Sequence, residues 1–181
     1  MTTADGFAKL FLQTALPEFG WDENEHLAKT PARFTKALRE LTEPQGFEFT
    51  TFDSDSDEMV VVQDITFYTF CAHHVLPFFG KAHIAYIPNG KICGLSKIAR
   101  TVEFFSRRLN VQEELTNNIA QYIDFELEPL GVAVVMEAEH LCMTMRGIRT
   151  PHAKTTTSSM KGVFLDPSRG ARAEFLSLIR S

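Results

Sequence analysis

Two short segments carry the side chains best suited to chemistry: Cys71-Ala72-His73-His74 and, further along, His140-Leu141-Cys142. Thiolate and imidazole are the donors zinc prefers, and a closed structural site takes four of them. Cys71, His74 and Cys142 supply three. A fourth position open to water marks a catalytic site, in which the ion lowers the pKa of that water toward neutrality. His73 and His140 stand beside the three donors and are of the type that exchanges protons near neutral pH. Taken alone, a Cys-x-x-His spacing is weak, because a buried cysteine next to a surface histidine has the same pattern. The second segment strengthens it: both fall at predicted strand ends, which become neighbours in a sheet though remote in sequence. Of the three cysteines only Cys93 lies elsewhere, and its flanks, Ile92 and Gly94-Leu95, place it in the core.

A second constellation is Gly94-Leu95-Ser96-Lys97-Ile98-Ala99-Arg100. Glycine and serine precede a predicted helix whose first turns carry Lys97 and Arg100 on one face. Free backbone amides, the positive end of the helix dipole and two cations suit a phosphate group. A solvated basic helix start has the same sequence and is commoner. Arg146, four residues after Cys142, is a third cation close to the metal donors in sequence. The third constellation is Gln112-Glu113-Glu114, where the two carboxylates either complement a helix N-terminus or, in the case of Glu113, accept two N–H bonds from a purine edge. The residues alone do not separate these. Thr155 to Ser159 is a β-rich run with a hydroxyl face.

The elements that must position these groups follow from periodicity. Residues 6–16 place Phe7, Leu10, Phe11 and Ala15 at helical spacing ahead of Pro17. Thr30-Pro31 has the form of an N-cap and first-turn proline, opening a helix with Phe34, Leu38 and Leu41 on one face. Residues 44–57 are polar and acidic and predict a loop. Met59 to Phe70 is rich in Val, Ile, Phe, Tyr and Thr and predicts a strand ending at Cys71. Pro77 then interrupts, and Lys81 to Ile87 predicts a second strand, antiparallel to the first and closed by the Pro88-Asn89-Gly90 turn. Helices are predicted over 97–109, with Ile98, Val102, Phe105 and Leu109 inward, and over 112–128, with Leu115, Ile119 and Ile123 inward. Strand material follows at 132–139, 142–149 and 155–164, and Asp166-Pro167 opens a last helix. The order gives an α+β fold with a mainly antiparallel sheet. Residues 1–57 form an N-terminal helical segment and 58–181 one catalytic domain.

Composition narrows the class. The chain of 181 residues is long enough for one domain with a sizeable core. Its net charge of −5 argues against a general nucleic-acid surface while leaving room for a local basic pocket. No apolar run approaches the roughly 20 residues of a membrane helix. Met1 to Asp5 lacks a basic stretch leading into an apolar one, so no secretory signal is expected. Three sparse cysteines then fit the reducing cytoplasm, with thiols free for metal.

Cys71-Ala72-His73-His74, Ala85-Tyr86-Ile87-Pro88, Gly94-Leu95-Ser96-Lys97, Val111-Gln112-Glu113 and Arg146-Gly147, in this order and spacing, resemble GTP cyclohydrolase I. Thr30-Pro31-Ala32-Arg33 and Thr155 to Ser158 resemble further motifs of that family. The match runs from about residue 25 to the C-terminus and is specific, because several independent motifs agree. It implies the tunnelling fold, an antiparallel sheet backed by two helices and preceded by N-terminal helices, assembled as a toroidal homodecamer with sites between subunits. It implies a zinc-dependent hydrolase acting on a cyclic amidine, converting GTP and water to 7,8-dihydroneopterin triphosphate and formate. The implied zinc ligands are Cys71, His74 and Cys142, the activated water attacking C8 of the guanine. His140 would protonate N7 as the ring opens, and His73 would assist proton transfer near the ribose. Glu113 would anchor the guanine with Gln112 nearby. Ser96, Lys97, Arg100 and Arg146 would face the ribose and triphosphate, and Arg33 would reach the triphosphate from a neighbouring subunit. Fe²⁺ and Mn²⁺ also suit N/S or mixed donors.

Three positions depart from the family pattern, which has Glu at 72, Arg at 114 and Gln at 110, where this chain has Ala72, Glu114 and Asn110. If the usual Glu and Arg pair with one another, loss of the first removes the reason to keep the second. No implied ligand, proton carrier or guanine anchor is missing, so catalysis is expected. The competing reading is an idle paralogue that binds GTP or zinc as an assembly or regulatory subunit. A variant that stops after ring opening is a third, and the NADPH-dependent nitrile reductase branch of the fold is disfavoured by the Cys/His/Cys trio. The product would feed folate, biopterin or deazaguanine synthesis.

Overall fold

The computed structural model describes residues 3–17 and 25–180. They fall into two compact units, Met1–Glu43 and Pro44–Ser181. The division lies ahead of the one expected at 57/58. Residues 44–57 belong with the second unit because they contribute a strand to it.

The first unit holds α1 (Ala4–Ala15) and α2 (Thr30–Thr42), which pack on each other. Thr3 caps α1, its hydroxyl accepting from Gly6 N–H at 3.2 Å. Pro31 lies in the first turn of α2, where its missing N–H costs nothing. Thr30 is itself helical, and the cap position falls to Lys29.

In the second unit, β1 (Thr51–Asp53) pairs antiparallel with β4 (Lys91–Cys93) as a separate two-stranded ribbon. The main sheet contains β2 (Val60–Cys71), β3 (Pro77–Ile87), β5 (Leu109–Asn110), β6 (Gly131–His140) and β7 (Lys154–Met160), in the order β5-β2-β3-β6-β7. All pairings are antiparallel except β2 with the short β5. Alternation along β3 and β6 sends Phe78, Ala82, Ile84, Tyr86, Val132, Val134 and Met136 to one face. There they meet Ile98 and Val102 of α3 (Leu95–Ser106) and Leu115, Ile119 and Ile123 of α4 (Gln112–Leu127). Ala85, Ala133 and Val135 point the other way, into a smaller core with Phe164 and with Ala171 and Phe175 of α6 (Ala171–Leu178). Gly80 permits a close approach of β3 to β6, since a Cβ there would collide with the Glu137 carbonyl.

Besides the strand within 44–57, further elements differ from the sequence expectation: the strand expected over 155–164 ends at Met160, and Gly162–Leu165 is a 3-10 turn. The strand expected from Lys81 begins at Pro77, paired with Phe70; proline is tolerated at the first residue of a strand. Leu109 leaves the helix expected over 97–109. The side-chain amide of Asn110 donates to the carbonyl of Phe105 at 2.9 Å, ending α3 and drawing Leu109-Asn110 alongside Phe70-Cys71. Residues 142–149, expected as strand, form the short helix α5 (Leu141–Thr144) and a turn with Gly147 and Arg149 at φ of 63° and 48°, left-handed backbone that breaks the run of extended residues. The final helix starts at Ala171 rather than Asp166, because Gly170 at φ 70° separates it from the turn capped by Asp166.

Candidate active site

The site is built where β2 ends, β3 begins and β6 ends. Cys71 closes β2 and is 5% exposed. The chain reverses there: Cys71 N–H donates to Leu76 O at 2.9 Å, and Val75 N–H to Cys71 O at 2.9 Å with Val75 at φ 53°. This tight reversal puts the exposed His73 and His74 beside the buried thiol, each Nδ1 at 3.7 and 3.8 Å from Cys71 Sγ. On the far side of β3, register places His140 opposite Phe78, the second residue of β3. The first turn of α5 then brings in Cys142. One donor atom from each of Cys71, His74 and Cys142 lies within 4.8 Å of the other two. Burial raises the Cys142 thiol, the neighbouring Cys71 raises it further, and Arg146 acts against both. Two thiols and an imidazole so close together form a group able to hold a metal ion. Cys93 is buried in the helix-side core, as expected, and does not belong to this group.

His140 is held on two sides. Its ring stacks on Phe78 with centroids 4.3 Å apart and planes 7° from parallel. Its Nε2 lies 2.7 Å from Gln112 Oε1. Burial lowers its pKa below the usual histidine value, and the nearby Glu113 carboxylate opposes this. Glu113 is exposed in the first turn of α4. Gln112, expected among the substrate contacts, is 2% exposed and spends its amide on protein groups: His140, Met136 O, Thr155 O and Thr157 Oγ1. Phe78 and Thr116 were not singled out by sequence reasoning, and Thr157 only as one member of the hydroxyl-bearing run Thr155 to Ser159. Their roles depend on the β3–β6–β7 register, which leaves no local signal.

Ser96 and Arg100 line a cavity of about 420 Å³ between α3 and β2, whose wall includes Thr66, Tyr68, Ser106 and Arg107. Lys97 is half-buried in the first turn of α3, and that helix starts at Gly94 without a side-chain cap. Its first amides are therefore not taken by a capping side chain. Arg146 is exposed in the turn after α5. Arg33 is exposed on α2, in the first unit. Ala72 is exposed, and its N–H donates to Asn110 O at 2.9 Å, beside the segment that leads into α4 and Glu114.

A mainly antiparallel sheet backed by two helices, with three side chains able to hold a metal ion at the strand ends, defines a tunnelling-fold protein. A solved structure of the archaeosine synthase QueF-Like in the apo form shares the fold: the TM-score is 0.50 at 15% identity, covering 60% of this chain and 97% of that one. The chain belongs to the GTP cyclohydrolase I family, whose pattern matches residues 10–180. It is 53% identical over 158 residues to GTP cyclohydrolase 1 of Hydrogenobaculum sp., covering 86% of each chain. It is likewise 53% identical to GTP cyclohydrolase 1 of Sulfurihydrogenibium sp. over 96% of this chain and 91% of that one. For the Aquifex aeolicus protein of the same name the identity is 50%, over 87% and 86%. Among the described residues no helix is long and apolar enough to cross a membrane.

Proposed function

We propose that this chain is a working GTP cyclohydrolase I, hydrolysing GTP at C8 and releasing formate and 7,8-dihydroneopterin triphosphate. The observation that carries this reading is the convergence of Cys71, His74 and Cys142 within 4.8 Å beside a clamped His140, in a chain of that family.

The donor set fits zinc: two thiolates and an imidazole leave one tetrahedral position for water or substrate. Held by Cys71, His74 and Cys142, a zinc ion would supply Lewis acidity and lower the pKa of a water molecule. Glu113, at the mouth of α4 and close to His140, accepts the N–H groups of the guanine edge and sets C8 toward the donors. His140 moves a proton to N7 as the imidazole ring opens, a step for which a neutral histidine ring near working pH is suited. His73, exposed next to Cys71, serves the later proton transfers near the ribose. Ser96, Lys97 and Arg100 at the start of α3, with Arg146, take the ribose and triphosphate through the helix-end amides and charge-assisted bonds. Arg33 serves a triphosphate in a neighbouring subunit, which makes the cytoplasmic homodecamer the working form.

The test is direct. Pure protein with GTP and zinc should yield a product that, once oxidised, shows neopterin fluorescence, with formate in equal amount. No signal from a correctly metallated decamer would sink this reading in favour of the idle paralogue, whose support is confined to Ala72 and Glu114. Ring opening without cyclised product would mark a truncated reaction instead.

A further inference from the structure

We propose that Gln112 is a positioning residue rather than a substrate contact: it fixes His140 in its Nε2–H form, so that Nδ1 alone exchanges protons with water and substrate. The proposal rests on the reading of His140 as a proton carrier.

The orientation of the Gln112 amide is decided by its surroundings. One end lies 3.2 Å from Met136 O, 3.0 Å from Thr155 O and 3.1 Å from Thr157 Oγ1. Two of these are backbone carbonyls, which only accept. A carboxamide oxygen on that side would face their lone pairs, so the NH₂ group occupies it and Oε1 faces His140. The threonines impose the same sense. Thr116 Oγ1 donates to the Gln112 carbonyl at 2.7 Å. Having spent its hydrogen, it accepts from Thr157 Oγ1 at 2.6 Å. Thr157, having spent its own, accepts from the Gln112 NH₂. The hydrogens therefore run one way round a closed ring from the Gln112 amide through Thr157 and Thr116 to the Gln112 carbonyl.

Oε1 is then an acceptor only, and the atom 2.7 Å from it, His140 Nε2, carries the hydrogen. The Phe78 stack holds the imidazole plane, and turning the ring over within that plane would put a ring carbon against Oε1 and forfeit the hydrogen bond. Nδ1 makes no hydrogen bond among the described residues. In the reaction its lone pair takes a proton from water as the water oxygen bonds to C8, breaking an O–H bond and forming Nδ1–H. That proton then passes to the purine nitrogen as the ring opens, and the imidazole returns to the form in which it began. No tautomer change is needed between turnovers. Such outer contacts commonly tune activity by about 10–100-fold.

Two measurements test this on the metallated oligomer. In protein labelled with [15N]histidine, with His140→Asn for assignment, the neutral His140 ring should show a protonated Nε2 and a bare Nδ1. In Gln112→Met the two tautomers should mix. A wild-type ring protonated at Nδ1 overturns the proposal whatever the activity. In single-turnover kinetics, Gln112→Met should lower kcat about 10–100-fold with KM unchanged, and should cost nothing further in a His140→Ala background. A raised KM at unchanged kcat would make Gln112 a substrate contact, and equal losses in both backgrounds would make its role mere packing. Thr157→Val, which touches neither the imidazole nor the substrate site, should repeat the Gln112→Met pattern more weakly and carries the same test if the methionine variant fails to fold. The expected resonances in a protein that does not turn over GTP would leave the positioning intact and remove the catalytic reading instead.

Discussion

The two segments that supply the metal donors are held in different ways. At the end of β6, His140 has a ring stacked against it and a hydrogen bond of 2.7 Å to a buried amide. At the β2–β3 turn, the rings of His73 and His74 are exposed, lie edge to face with centroids 6.2 Å apart, and each contacts Cys71 Sγ at 3.7 or 3.8 Å. One segment is fixed by protein contacts on two sides. The other leaves its imidazoles exposed, where a metal ion held by Cys71, His74 and Cys142 would gather them. Preorganised groups stabilise developing charge without rearranging during the reaction. A turn that closes on metal instead couples activity to metal loading.

The most severe way to break this contrast is to remove a ligand. Cys142→Ser should abolish metal binding and activity together, read by metal analysis and neopterin fluorescence; full activity would overturn the ligand assignment. Next comes Phe78, which is 0% exposed. Phe78→Ala should cost about 3–5 kcal/mol in stability, seen as a lower melting temperature, and kcat should fall while KM holds, because the ring it supports is loosened. On the phosphate side, Arg100→Ala should raise KM roughly 10–100-fold with kcat kept, the loss of one charge-assisted bond worth about 1.5–3 kcal/mol. Chelating the metal should speed amide hydrogen exchange over residues 72–76 and leave 136–140 unchanged; equal loosening of both would erase the contrast. The smallest effect concerns the departures from the family. Both Ala72 and Glu114 are exposed, so Ala72→Glu with Glu114→Arg should show a coupling of about 0.2–1 kcal/mol in a double-mutant cycle on stability. Strict additivity would mean that the two positions changed independently.

Much of this architecture was legible because it is local. The apolar spacing of α3 and α4, the β-branched run into Cys71 and the turn at Pro88-Asn89-Gly90 each declare themselves within a few residues. The misreadings arose where a distant partner overrides a local pattern. Pro77 enters a strand because Phe70 pairs with it, Leu109 joins a strand because Asn110 caps α3, and Thr51–Asp53 becomes a strand because Lys91–Cys93 lies alongside. The same holds at the site. Donor types and spacing pointed to Cys71, His74 and Cys142, whereas Gln112 entered through the family resemblance as a residue near the guanine, and its bonds to His140, Met136 and Thr155 come from the fold.

By itself, then, the sequence determined the chemical inventory: two thiols and an imidazole suited to a metal, two further histidines, cations at one helix start and carboxylates at another. Residue type and short spacing are sufficient for that. Tertiary structure alone decided how the inventory is held. The register of β3 against β6 sets Phe78 under His140, and that of β6 against β7 brings Met136 and Thr155 together around the Gln112 amide. Such contacts are sums over strands remote in sequence, and only the folded sheet brings them to one place.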